Sequence, residues 1–280
     1  MPYSAAFAST SAPGTKPAEA PLPLGQRVAA FALVQLQTAQ AQLALTGEAR
    51  HSGIHQARKS LRRVRAALAL GARVFGHRVV GLDDELGSMC RGLSGLRDAQ
   101  ALLEELKRLA PSAAPESAAV LFSADTVARQ VRDELLERAL LRDPDMQSRR
   151  RRLQLAQKRL ASLHWQSLDD SRMVKAVRRS RRRAEKAGKR ARREPDDGDA
   201  WHIYRRRLRR LHQQHTILDT LQPGLLPEKM DLEDHASALG EVQDDALLLK
   251  RCSGHSPFPV ELRPSLRAMA RERLRKARHS

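Results

Sequence analysis

The chain is poor in cysteine, in aromatic residues and in long apolar runs. Its two cysteines, Cys90 and Cys252, lie far apart with no CxxC. That excludes a disulfide framework or a cysteine-based zinc site and fits a reducing compartment, the cytoplasm. Phe, Trp and Tyr together number nine, 3% of the 280 residues. Proteins that hold single-stranded nucleic acid stack bases on such rings, whereas a binder of a bare phosphate chain needs none. No apolar run approaches the roughly 18 residues of a membrane span, which excludes an integral membrane protein. The first 25 residues lack a basic start followed by an apolar stretch, so no secretory leader is expected. Alternation of β-branched and aromatic residues is also missing, so strands are not expected.

What the chain has is positive charge. Lys and Arg number 51 against 32 Asp and Glu, a formal net charge of +19, and Arg supplies 41 of the 51. A pI near 11.1 points to a polyanionic partner. The charge is concentrated: from Arg149 to Arg210, 23 basic residues face 7 acidic ones, +16 of the total.

Residues 1–25, rich in Ala, Ser, Pro and Gly, read as a disordered tail. Beyond them the apolar spacing is helical, with prolines at the breaks. Helices are expected at 26–45, 52–75, 78–109, 117–142, 145–164, 171–193, 199–221, 229–252 and 260–278, an all-α fold. Asp199 is the expected cap of one helix, and Asp231 with Glu233 and Asp234 suits the start of another. The main domain is expected over 26–255, with halves at about 26–165 and 166–255, and 256–280 is set apart as a basic C-terminal helix.

The halves are suggested by an internal repeat. HQARKSLRRVR, from His55 to Arg65, aligns without gaps on HIYRRRLRRLH, from His202 to His212, at an offset of 147 residues. His55, Arg58, Lys59 and Arg62 stand at i, i+3, i+4 and i+7, within roughly 100° of arc on a helix. Ile54, Ala57, Leu61, Val64 and Leu68 form a separate apolar stripe. The second copy repeats both stripes, with His202, Arg205, Arg206 and Arg209 basic and Trp201, Tyr204, Leu208 and Leu211 apolar. One basic stripe reads as a solvated surface face. Two matched copies are harder to explain so, because like charges along a helix face repel and invite a counter-anion. An echo follows each copy: LSGLRDAQALL from Leu93, then LGEVQDDALLL from Leu239, aligning Arg97-Asp98 with Gln243-Asp244. An Asp beside an Arg-rich helix can orient a guanidinium.

These residues resemble the CHAD family, the conserved histidine α-helical domain. The family's two His-x-x-Arg helices match His55, Arg58, Lys59, Arg62 and Arg63, and His202, Arg205, Arg206, Arg209 and Arg210. The elements that follow match Leu93, Arg97 and Asp98, then Leu239, Gly240 and Asp244. The basic helix before the second His motif carries Arg178, Arg179 and Arg182, with Arg181 where the family usually has Tyr. The resemblance implies two pseudo-symmetric helical bundles whose His/Arg helices line a central basic groove or pore. It implies that the two sets of motif residues, with Arg178, Arg179 and Arg182, bind inorganic polyphosphate, and that the protein attaches to polyphosphate granules. The chemistry suits that ligand, since guanidinium groups meet phosphate oxygens bidentately.

The enzyme reading finds less support. Phosphoryl transfer usually needs a divalent metal held by carboxylates, yet the chain has no ExExK, HExxH or GxxxxGK[ST] pattern, and Asp231, Glu233, Asp234 and His235 read better as a capped helix start. The expectation is a binder rather than an enzyme, with no metal, cofactor or membrane. A sequence-tolerant RNA or DNA binder, with Arg178 to Arg193 as a basic arm, is the alternative.

Overall fold

The computed structural model describes residues 22–112, 115–195, 197–226, 247–254 and 256–279. Among them there is no strand. The helices are α1 (Leu24–Leu43), α2 (Ala49–Leu70), α3 (Ala72–Phe75), α4 (His77–Gly92), α5 (Ser94–Leu109), α6 (Pro115–Arg142), α7 (Gln147–Ala161), α8 (Asp170–Arg193), α9 (Gly198–Leu221) and α10 (Arg263–His279). Of the helix expected over 229–252, residues 247–251 are helical. The rest, with Asp231, Glu233, Asp234, His235, Leu239, Gly240, Gln243 and Asp244, lies outside the described residues.

The apolar stripes dictate the packing. Ile54, Ala57, Leu61, Val64 and Leu68 of α2 are all buried, as are Tyr204, Leu208 and Leu211 of α9. They join one core with α1, α4, α7 and α8, so α2 and α9 cross inside the molecule. Burying apolar surface at about 25 cal/mol per Å² fixes each helix's rotation, and that rotation decides where its basic stripe points. Close approach helps at the start of α2. A Cβ on Gly53 would sit 2.3 Å from the carbonyl oxygen of Gln42, so only glycine lets α1 and α2 meet there. A second, smaller core joins the end of α5, α6, Leu248, Cys252, Phe258 and the Leu266–Ala270 face of α10. The C-terminal helix, set apart by its charge in the sequence, is therefore docked on the body of the fold.

Four helix boundaries differ from expectation for identifiable reasons. α1 starts at Leu24, which is buried behind Pro23, so the expected tail overlaps the helix. The single helix expected over 78–109 breaks at Leu93, beside Gly92, a poor helix former. Arg58 secures that break by donating to the Cys90 carbonyl and, at 2.7 Å, to Ser94 Oγ, meeting the need of a helix C-terminus for outside donors. α2 stops before Gly71, whose missing Cβ leaves room for the Phe75 ring. The cap of α9 is Asp197 rather than Asp199: its Oδ1 accepts from the Asp199 and Ala200 amides at 2.8 and 3.1 Å. Asp199 instead sits in the first turn, where a carboxylate complements the helix dipole.

Candidate functional site

Rotated by their buried stripes, α2 and α9 present part of their basic faces to one groove of about 600 Å³. His55, Lys59, Arg62 and Arg63 come from α2, and Arg209 and His212 from α9. Gln213, Thr216 and Thr220 add neutral polar groups; Phe31 and Ile217 complete the lining. Four cations and two histidines thus share a wall that, among the described residues, contains no carboxylate.

Arg62 is the centre of this arrangement. Its Nε is fully buried and finds no hydrogen-bond partner among the described residues. Burial first, then Arg209 across the helix crossing, with Arg58 and Arg97 contributing, pushes its guanidinium down to about 10. A buried cation held among cations is costly unless paired, so the free protein carries this charge at a cost. Arg62 and Arg209 are equivalent in the internal repeat, so the two copies meet there. His55 is likewise held below the ordinary histidine range, by burial first and then by Arg97, Arg62 and Lys59, with Glu104 acting in the opposite sense. Glu104 is paired with Arg97 at 3.1 Å.

The other predicted residues are distributed differently. Arg58 turns from its stripe to the α4–α5 junction, and Arg63 lines the groove while donating to Gln35 Oε1 at 3.4 Å. His202 and Arg206 are exposed and Arg205 is half-buried; none of the three lines the groove. Arg210 points elsewhere, 4.0 Å from Asp83. Asp83 also takes a two-pronged contact from Arg65, Nε and Nη2 each at 2.8 Å. Arg178 and Arg182 are exposed on α8, and Arg179 and Arg210 line a separate cavity. Among the described residues no group of three or more His, Cys, Asp or Glu is placed to hold a metal ion, and no helix is long and apolar enough to cross a membrane.

A family model for the CHAD domain matches residues 27–253. The chain belongs to the CHAD family. Two solved structures share its fold. The crystal structure of the CHAD domain from the plant Ricinus communis is 18% identical, with a TM-score of 0.56 and 92% of each chain covered. PptA from Streptomyces chartreusis is also 18% identical, with a TM-score of 0.57, covering 92% of this chain and all of its own. No curated protein matches the sequence.

In this CHAD domain the groove contains residues that motif reading missed. His212, Gln213 and Thr216 line it, and the signal for two of them was present. Continuing the stripe from His202 through Arg205 and Arg209 by further steps of three and four reaches His212 and Thr216. Asp83 had no comparable signal, because it is brought to Arg65 and Arg210 only by the packing of α4 on α2 and α9.

Proposed function

We propose that this CHAD domain is a non-catalytic binder of inorganic polyphosphate and that the chain runs in the groove between α2 and α9. The observation that carries the reading is a wall of Lys59, Arg62, Arg63 and Arg209 with two histidines and, among the described residues, no carboxylate. The free protein holds that charge at a cost, and a phosphate chain supplies about one negative charge per unit along its length. The scarcity of aromatic rings favours a ligand without bases. The meeting of Arg62 with its repeat partner Arg209 supports two related halves joined at the groove. The exposed Arg178 and Arg182 add long-range attraction rather than shaped contacts. Attachment to polyphosphate granules in the cytoplasm belongs to the same reading.

The test is competition. Fluorescent polyphosphate is bound to the protein and displaced by unlabelled polyphosphate or by single-stranded RNA at several salt concentrations. Polyphosphate should compete far better per phosphate, and Arg62→Met should remove most of that preference. Equal competition by RNA, insensitive to Arg62, would sink the proposal and promote a sequence-tolerant nucleic-acid binder.

A further inference from the structure

A second basic hollow shares no lining residue with the groove. It measures about 180 Å³ and lies among the end of α2, α3, α4, α8 and α9. Arg73, Arg179, Arg183, Arg207 and Arg210 line it, with Ser180 beside them. Two carboxylates also line it, Asp83 and Asp84, so five positive charges stand against two negative ones. Asp83 is already engaged by Arg65 through two hydrogen bonds, which leaves the surplus on the arginine side. Arg73, Arg179, Arg183 and Arg207 form no ion pair or hydrogen bond with any described residue.

The arginines also disturb one another. Burial, then Arg73, Arg183 and Arg182, hold Arg179 below its ordinary range. Burial, then Arg183 and Arg206, do the same to Arg207. These guanidiniums come from three separate helices, so no single sequence run brought them together. Converging forks of this kind suit the several oxygens of a phosphoryl group. Size narrows the ligand. At about 180 Å³ the hollow is less than a third of the groove's about 600 Å³, which favours a compact anion over a long chain. Arg73 and Arg179 also line an adjoining shallower recess with Arg172, which gives an attached chain a way out.

We infer that this hollow is a second, discrete anion site that takes a compact phosphoanion of one or two phosphoryl groups, either free pyrophosphate or the terminus of a polyphosphate chain. Its occupation by pyrophosphate does not depend on the groove. Its occupation by a chain end rests on the polyphosphate reading above.

The experiment titrates pyrophosphate calorimetrically into the full-length protein. One pyrophosphate should bind per chain. The double variant Arg73→Met/Arg207→Met should lose about tenfold or more in affinity, and Arg62→Met should lose nothing. Arg179→Lys, which keeps the charge and removes the fork, should lose severalfold with an unchanged melting temperature, guarding against a folding artefact. Absence of pyrophosphate binding, equal weakening by Arg62→Met, or indifference to the hollow's variants overturns the site. Long polyphosphate with free ends, compared with chains whose terminal phosphates are blocked as phosphoramidates, then separates the sources. If chain ends enter, the double variant binds free-ended chains more weakly than wild type does and blocked chains equally well. If pyrophosphate alone enters, both chains bind the double variant as they bind wild type. Full long-chain affinity in Arg62→Met defeats the groove reading and leaves the pyrophosphate result standing.

Discussion

Replacing Arg62 with Met should make the free protein more stable and the complex weaker. Met keeps much of the buried aliphatic stem and removes the charge. Burial and neighbouring cations lower the Arg62 guanidinium from its ordinary value to about 10. At 1.36 kcal/mol per unit, that corresponds to about 3 kcal/mol charged against the folded state. Solvent in the groove screens part of this, leaving about 1–3 kcal/mol. Because the folded value lies below the unfolded one, the penalty is fully present at neutral pH and fades only as pH rises through about 10 towards the ordinary guanidinium range. For a chain of this size each kcal/mol shifts the melting temperature by about 2–4 °C, so Arg62→Met should melt roughly 2–12 °C higher by calorimetry at pH 7 without ligand. With polyphosphate the order should reverse. A charge-assisted contact of about 1.5–3 kcal/mol is lost, so affinity should fall roughly ten- to hundredfold and ligand-induced stabilisation should shrink with it. A variant that melts below wild type, or binds polyphosphate undiminished, refutes the reasoning.

Other outcomes follow from neighbouring features. His55 is held low in the free protein, so the free fold should lose stability as pH falls below the unfolded value of about 6.5. A bound anion raises that pKa, so polyphosphate should bind more tightly in the same direction, with proton uptake seen calorimetrically in buffers of different ionisation heat and absent in His55→Gln. Asp83→Asn strands the partly buried Arg65 and Arg210 and should cost about 2–4 kcal/mol in denaturant unfolding. Gly53→Ala drives a methyl into the Gln42 carbonyl and should cost about 1–3 kcal/mol by the same measurement. Arg58→Ala should destabilise the fold, because it unties the α4–α5 junction; removing Arg151, which is exposed, should move polyphosphate affinity by less than about 1 kcal/mol.

Periodicity made the helices and the rotation of α2 and α9 legible, because the burial of Leu61 or Leu208 is a local consequence of spacing. It also placed His55, Lys59 and Arg62 on a face that lines the groove. It could not tell which members of a stripe remain at that face. Arg58 shares the arc of Arg62 but finds carbonyl and hydroxyl acceptors at a helix junction, and that junction exists only after α4 and α5 fold back. His202 lies on the groove-facing stripe of α9, yet it does not line the groove, which includes Arg209 and His212 farther along the helix. Arg73, Arg179, Arg183 and Arg207 lie on three helices and converge only in the packed molecule.

α5 belongs to both cores: Leu96 near its start is buried with α2, while Leu102, Leu106 and Leu109 are buried with α6 and α10. It also carries Arg97 and Glu104, two of the charges that act on His55. The helix is thus a rigid strut with one end under the basic helices and the other clamped by α6 and the Leu266–Ala270 face of α10. A lesion far along the sequence, such as loss of Leu266 or Ala270 from the α10 contact, loosens the clamp and lets the strut pivot. The electrostatic setting of His55 would change although no residue near it had been touched.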